Sequence, residues 1–115
     1  MELLIGNALN IGTDEFYRAI RYKLSLAVML INTSDNNAFN ILEDNIRQSD
    51  IIQQLDSNTI IVFLSHTDLQ KSTLFIDKIK DKFSFTYTIA EFKDSEVKFL
   101  ETLFLDNSKN KETFV

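Results

Sequence analysis

The sequence predicts an α+β domain in which helices alternate with the strands of one sheet. Two uninterrupted apolar runs are typical of buried strands, LSLAVMLIN at residues 24–32 and TIIVFLS at residues 59–65. Apolar residues at helical spacing flank each run. A third stretch, FSFTYTIAE at residues 83–91, alternates apolar and polar residues and predicts a strand with one buried face.

The first half of the chain is predicted to form a helix, a strand and a second helix. Thr13 is suited to cap a helix over residues 13–22. The strand that follows ends in the polar sequence NTSDNN, which indicates a loop. The spacing of apolar residues over 37–46 then predicts a short amphipathic helix.

The second half is predicted to form a hairpin, a helix, a strand and a last helix. DIIQQL and TIIVFLS flank DSN, whose Asp and Asn tolerate the left-handed backbone that short hairpin loops need. Thr67 and Gln70 form a capping-box pattern at the start of the next helix. After the alternating strand, Asp94 can cap a C-terminal helix.

These elements follow the order α, then β-α-β-β-α-β, then α, which is a ferredoxin-like core with an N-terminal and a C-terminal helix. In that topology the first and third strands are central, and those are the two apolar runs. The second and fourth strands are expected at the edges. The 115 residues are expected to form a single domain, residues 1–115, with frayed ends at 1–12 and 106–115.

The composition excludes several classes of site and partner. With no cysteine, the chain has no disulfide, thiolate nucleophile or zinc-thiolate site, which favours a cytoplasmic location. The net charge of -5, with dispersed Lys and Arg, argues against a nucleic-acid polymer as partner. The longest apolar run is too short to span a bilayer, so no membrane partner is expected. Both glycines precede Thr13, which excludes a glycine-rich phosphate loop beyond it.

One motif in the hairpin region carries a resemblance to a known family. Residues 47–50 read RQSD, the five residues IIQQL follow, and DSNTI occupies residues 56–60. This arrangement resembles the GGDEF family, the diguanylate cyclase domains of bacterial cyclic di-GMP signalling, in which RxxD, five residues and the GGDEF turn lie on one hairpin. The resemblance runs from about residue 4 to residue 103 and is clearest over residues 24–90. It implies a nucleotide-cyclase type of ferredoxin-like fold.

The resemblance also implies that the signature turn is degenerate. In the family, the glycines let the backbone approach GTP, and the acidic third residue binds a divalent metal and helps to activate the attacking hydroxyl. Here Asp56 and Ser57 replace the glycines, and Asn58 replaces the acid. Thr59 and Ile60 complete the altered turn.

Three further differences from the family's pattern also imply a loss of cyclase activity. Asn32 stands where the family has its other metal-binding aspartate, and a neutral amide binds Mg²⁺ poorly. Residues 34–46 have room for only one short helix in place of the family's guanine- and ribose-binding helix. The C-terminal KFLETLFLDNSKNKET does not preserve the lysine that in the family precedes a GRN ending and contacts phosphates. The chain is therefore expected to have no catalytic residue, metal or other cofactor. It is predicted to be an inactive regulatory or protein-interaction module with a protein partner or as a homodimer.

The RxxD motif itself is retained. In the family it forms an inhibitory site for cyclic di-GMP, so the resemblance implies that Arg47 engages phosphate and guanine and that Asp50 accepts from guanine nitrogens. Lys78 lies at about the position of a basic residue that the family adds to this site. The alternative is that Arg47 and Asp50 form only a local surface ion pair. Ligand binding would require both side chains to be accessible to solvent.

A third interpretation is a nucleotide cyclase with rearranged metal ligands. Asp35, Glu43 and Asp44 are the nearby carboxylates that would have to substitute. A carboxylate pair facing the DSN turn would favour this interpretation, and an apolar cleft there would favour the inactive module.

Overall fold

The computed structural model describes the backbone of residues 1–113 and the side chains of residues 1–109. This part of the chain contains four helices and four strands, in the predicted order. Their bounds are α1 Glu2–Tyr22, β1 Leu26–Asn32, α2 Ala38–Asn45, β2 Ile51–Asp56, β3 Thr59–Ser65, α3 Leu69–Ile79, β4 Thr86–Glu91 and α4 Glu96–Thr113. None of these described helices combines the length and the apolar character needed to cross a lipid bilayer.

The strands form one antiparallel sheet in the order β2-β3-β1-β4. β1 lies beside β3 along its whole length, with Leu26 opposite Ser65 and Asn32 opposite Thr59. Its other edge pairs with β4. The predicted ferredoxin-like topology is therefore confirmed, and the two apolar runs are adjacent central strands with β2 and β4 at the edges.

The central strands are buried on both faces of the sheet. One set of alternate side chains, which includes Val28 and Phe63, packs in a core with α1 and α4. The other set, which includes Met29 and Val62, packs in a second core with α2 and α3. Because successive side chains of a strand point to opposite faces, a sheet covered on both sides needs apolar residues at every position of its central strands.

The predicted fraying of both ends is wrong within the described residues. α1 begins at Glu2, and Ala8 is completely buried against the sheet. The helix α4 continues through residues 106–113, and Asn107 is buried. Residues 114 and 115, also expected to fray, lie outside the described residues. Helices α1 and α4 pack against each other and against the sheet, which orders both ends of the chain over the described residues.

Two predicted helix caps are also wrong. Thr13 lies in the middle of α1, where its hydroxyl donates to the Leu9 carbonyl at 2.8 Å. At the start of α3 the cap is Asp68, whose carboxylate accepts from the Lys71 N–H at 2.7 Å. Thr67 is left to form other hydrogen bonds, described below.

Helix α1 approaches the sheet most closely at Gly12. A Cβ atom at this position would overlap the ring of Phe63 and would lie 3.0 Å from the ring of Phe16. Phe63 is completely buried, and its ring contacts Phe16 edge to face with 5.6 Å between centroids. The ring therefore has no free space into which to move. By contrast, nothing lies within 4 Å of a Cβ built at Gly6.

We expect Gly12→Ala to lower the free energy of unfolding and Gly6→Ala to raise it. Both changes gain up to about 1 kcal/mol of helix propensity. Only Gly12→Ala overpacks the core, which typically costs ~1–3 kcal/mol. Urea denaturation of the two variants, measured side by side, checks this. Equal stabilisation by both changes would contradict the close approach at Gly12.

Candidate functional site

The turn that joins β2 to β3 consists of Ser57 and Asn58. The Asp56 carboxylate accepts from the Asn58 N–H at 2.9 Å, and the Asn58 carbonyl accepts from the Thr33 N–H at 3.0 Å. The turn is thus closed by a side chain and attached to the residue that follows β1. Its residues have negative φ angles, so the left-handed backbone expected from the sequence is not used.

Asn32 is the last residue of β1 and lies beside this turn. Its side-chain amide forms hydrogen bonds with that of Asn107. Its Nδ2 donates to Asn107 Oδ1 at 2.6 Å, and Asn107 Nδ2 donates back to Asn32 Oδ1 at 3.2 Å. Thr59 Oγ1 lies 3.5 Å from the same Asn32 oxygen. All three residues are buried. Asn32, which the resemblance aligns with a metal-binding aspartate, is therefore part of a neutral hydrogen-bond network with α4.

A polar cleft of about 290 Å³ lies on the other side of the turn. Asp35 and Asp56 both line it, together with Gln54 and Ser57. The Asp35 carboxylate accepts from the Asn37 N–H at 2.8 Å, a local contact like that of Asp56. Of the three carboxylates considered as substitute metal ligands, Asp35 lines the cleft, whereas Glu43 and Asp44 do not.

The described residues near the turn offer two carboxylates, Asp35 and Asp56, and the amide of Asn32. Among the residues that the structure describes, no three His, Asp or Glu side chains come together as a candidate metal site. The Asn32 side chain uses both its N–H and its oxygen in hydrogen bonds to Asn107. The cleft beside the turn is lined by two carboxylates and is polar, so the apolar cleft that would favour the inactive module is not found there, and this one feature favours the interpretation with rearranged metal ligands.

The RxxD motif lies in the loop between α2 and β2, where Arg47 and Asp50 form a two-pronged ion pair. Arg47 Nε donates to Asp50 Oδ2 at 3.2 Å, and Arg47 Nη2 donates to Asp50 Oδ1 at 3.0 Å. The backbone N–H of Arg47 also donates to Oδ2, at 2.9 Å. This geometry matches the planar fork of arginine to the two carboxylate oxygens.

Both members of the pair are attached to the end of β3. Asp50 accepts from the Ser65 N–H at 3.0 Å, and Arg47 Nη2 donates to the Ser65 carbonyl and, at 2.8 Å, to Thr67 Oγ1. The Asp50 side chain is 2% exposed, and that of Arg47 is 51% exposed. Arg47 therefore meets the accessibility condition for ligand binding, whereas Asp50 does not. The Asp50 carboxylate orients Arg47 and is not available to a ligand.

Arg47 opens onto a cleft of about 230 Å³ that Lys78 also lines. Lys78 Nζ donates to the Asn45 carbonyl at 3.3 Å, which holds the end of α3 against the end of α2. Lys71 adds a third cation, and Leu74 and Phe75 supply apolar walls. Lys71 was not identified from the sequence, although it precedes Lys78 by two helical turns and so lies on the same face of α3.

Two solved structures share this architecture. The crystal structure of a DGC protein from Thermotoga maritima has a TM-score of 0.66 and 16% sequence identity, over 91% of this chain and 92% of that chain. The crystal structure of diguanylate cyclase SiaD in complex with its activator SiaC, from Pseudomonas aeruginosa, has a TM-score of 0.75 and 13% identity, over 92% of this chain. The chain has a diguanylate cyclase-like, or GGDEF-like, fold.

The likeness is one of fold, because the identities are low. This chain spans about half of the SiaD chain, of which 54% is covered. No protein-family model and no curated protein matches the sequence.

In this GGDEF-like fold the two candidate sites lie at opposite ends of β3. Asn32 and the turn adjoin Thr59, where β3 begins. Arg47 and Asp50 contact Ser65, where β3 ends. The separation is about 20 Å, since an extended strand rises ~3.3 Å per residue. A change at one site therefore leaves the contacts of the other intact.

We expect Asp50→Ala to lower the free energy of unfolding by about 2 kcal/mol or more. The change leaves the buried Ser65 N–H without its acceptor and removes charged hydrogen bonds from Arg47, each typically worth ~1.5–3 kcal/mol. Asp56→Ala removes one exposed turn contact and should cost less than ~1 kcal/mol. Urea denaturation compares the two, and similar small losses would show that the Asp50 network contributes little.

Proposed function

We propose that this chain is a catalytically inactive member of the GGDEF group that acts as a regulatory or protein-interaction domain in bacterial cyclic di-GMP signalling. The observation that carries this proposal is the reciprocal amide pair between Asn32 and Asn107. It occupies the position at which the resemblance places a metal-binding carboxylate. We further propose a cytoplasmic location and a protein partner or second copy, rather than a nucleic acid or a membrane.

The chemistry of the turn supports the same proposal. Asp56 and Ser57 carry side chains at the two positions where the resemblance expects glycine. A side chain there keeps a bound nucleotide away from the backbone. Asn58 offers an amide where a carboxylate would be needed to attract a divalent cation. Substrate approach and metal binding are therefore both disfavoured at the same turn.

We expect incubation with GTP and Mg²⁺ to yield no cyclic di-GMP above a blank without protein. Chromatography with mass detection, with an active diguanylate cyclase as positive control, makes the measurement. Turnover that disappears in both Asp35→Ala and Asp56→Ala would overturn the proposal, because it would show that the two carboxylates of the polar cleft act as rearranged metal ligands.

A second candidate function is binding of cyclic di-GMP at the cleft beside Arg47. It is favoured by the three cationic side chains that line this cleft, Arg47, Lys71 and Lys78, and by the apolar walls of Leu74 and Phe75. Cationic groups attract the phosphates, and a guanidinium held in one plane by Asp50 presents its outer edge to a guanine. This proposal replaces the predicted site that used both residues: Asp50 is buried, so it positions Arg47 and does not contact the ligand.

The receptor proposal predicts that Lys78→Ala weakens binding of cyclic di-GMP, measured by calorimetric titration. A charge-assisted contact typically contributes ~1.5–3 kcal/mol, so affinity should fall about tenfold or more. Lys78 makes one exposed hydrogen bond, so the variant should fold normally. Arg47→Ala should weaken binding further, whereas Asp56→Ala at the far end of β3 should not change it. Absence of heat from the unmodified protein would reject this function and leave the interaction domain.

A further inference from the structure

The cleft beside Arg47 is lined along one side by a single face of α3. Lys71, Leu74 and Lys78 line it at intervals of three and four residues, so they follow one another along that face of the helix. Leu74 is 66% exposed and lies about one helical turn from each lysine. Phe75, which is buried, adds a second apolar wall. The cleft therefore presents an uncovered apolar side chain between two cations.

The two lysines of this cleft have no carboxylate partner in the described part of the chain. The ion pairs among the described residues include neither Lys71 nor Lys78. Lys78 Nζ donates to the Asn45 carbonyl, which uses one of the three donors of its ammonium group. Asp50, the one acid that lines the cleft, has both carboxylate oxygens engaged in hydrogen bonds. In a chain of net charge -5, the cleft is thus a local concentration of positive charge.

We propose that this cleft is the docking site for an acidic amphipathic helix of a partner protein. A large apolar side chain of that helix covers Leu74, and carboxylates on either side of it pair with Lys71 and Lys78. Arg47, whose side chain is 51% exposed, adds a third cation beside them. The inference rests on the first proposed function, that of a protein-interaction domain, and names the chemistry of its partner.

The spacing of the two lysines determines the pattern expected in the partner. Lys71 and Lys78 are seven residues apart, which is about 10.5 Å along the axis of α3. Two acidic residues seven positions apart in a partner helix have the same separation. A Leu or Phe three or four positions after the first acid lies between them on the same face. The cleft of about 230 Å³ can accept that side chain.

The engaged carboxylate of Asp50 favours a protein segment over a nucleotide. A guanine base presents N–H groups that need acceptors when they leave water. The Asp50 side chain, 2% exposed, already accepts from Arg47 and Ser65. A helix that bears carboxylates and an apolar side chain needs only cationic donors and apolar contact, and the cleft supplies both.

The first experiment measures binding of a synthetic helical peptide by fluorescence anisotropy. The Glu peptide, of about 20 alanine-rich residues, carries Glu, Leu and Glu at the first, fourth and eighth positions of one face. In the Gln peptide, Gln replaces both Glu residues. The unmodified protein should bind the Glu peptide at least about tenfold more tightly than the Gln peptide, and added salt should weaken the binding. No binding of the Glu peptide, or equal binding of both peptides, would overturn the proposal.

The second experiment repeats the titration with matched pairs of variants. Leu74→Ser and Lys71→Glu change the cleft, whereas Leu69→Ser and Lys80→Glu change exposed residues outside it at the two ends of α3. Each cleft variant should bind the Glu peptide at least about tenfold more weakly, and each control variant should bind it as the unmodified protein does. Circular dichroism checks that all four are folded. Equal losses in a cleft variant and its control would show that the peptide does not occupy the cleft.

Two further measurements on the unmodified protein distinguish failure of this inference from failure of the proposed function. Heat on titration with cyclic di-GMP, without binding of the Glu peptide, would assign the cleft to a nucleotide and overturn the inference alone. Turnover of GTP would overturn the proposed inactivity, whether or not the Glu peptide binds.

Discussion

The pairing of β1 with β3 is the interaction on which the rest of the structure depends. These strands lie side by side over seven residue pairs, and their side chains are buried on both faces of the sheet. Neither strand is stable in water unless other elements cover it, because each alone exposes a continuous apolar surface. α1 and α4 cover one face, and α2 and α3 cover the other. The close approach of Gly12 to Phe63 shows how tightly the first of these layers is fitted.

The same strand pair also determines where function can reside. Its interior is fully apolar, so the buried polar contacts of this strand pair lie at its two ends. At one end the turn and Asn32 meet α4 through buried amides. At the other end Ser65 accepts from Arg47 and donates to Asp50, so that the loop after α2 is attached to the sheet. Two polar networks of different character thus share one strand without touching.

These two networks differ in what they leave for a ligand. The amide network satisfies its own donors and acceptors and holds α4 against the end of β1. The ion pair beside Ser65 satisfies the carboxylate completely and the guanidinium only in part. A half-exposed guanidinium next to two lysines can still attract an anion at modest desolvation cost. The arginine cleft therefore differs in character from the neutral amide network at the other end of β3.

Local pattern in the sequence was sufficient for much of the fold and for part of the site. The two apolar runs identified the central strands because a doubly covered strand must be apolar at every position, and the spacing from Arg47 to Asp56 located both ends of the hairpin. Tertiary structure alone decided that Asp50 is buried, that Lys71 joins Lys78 beside Arg47, and that α1 begins at Glu2. It also decided that Asn32 pairs with Asn107, 75 residues away. Periodicity and caps report only what neighbouring residues prefer, whereas burial and distant hydrogen bonds depend on how complete elements pack against one another.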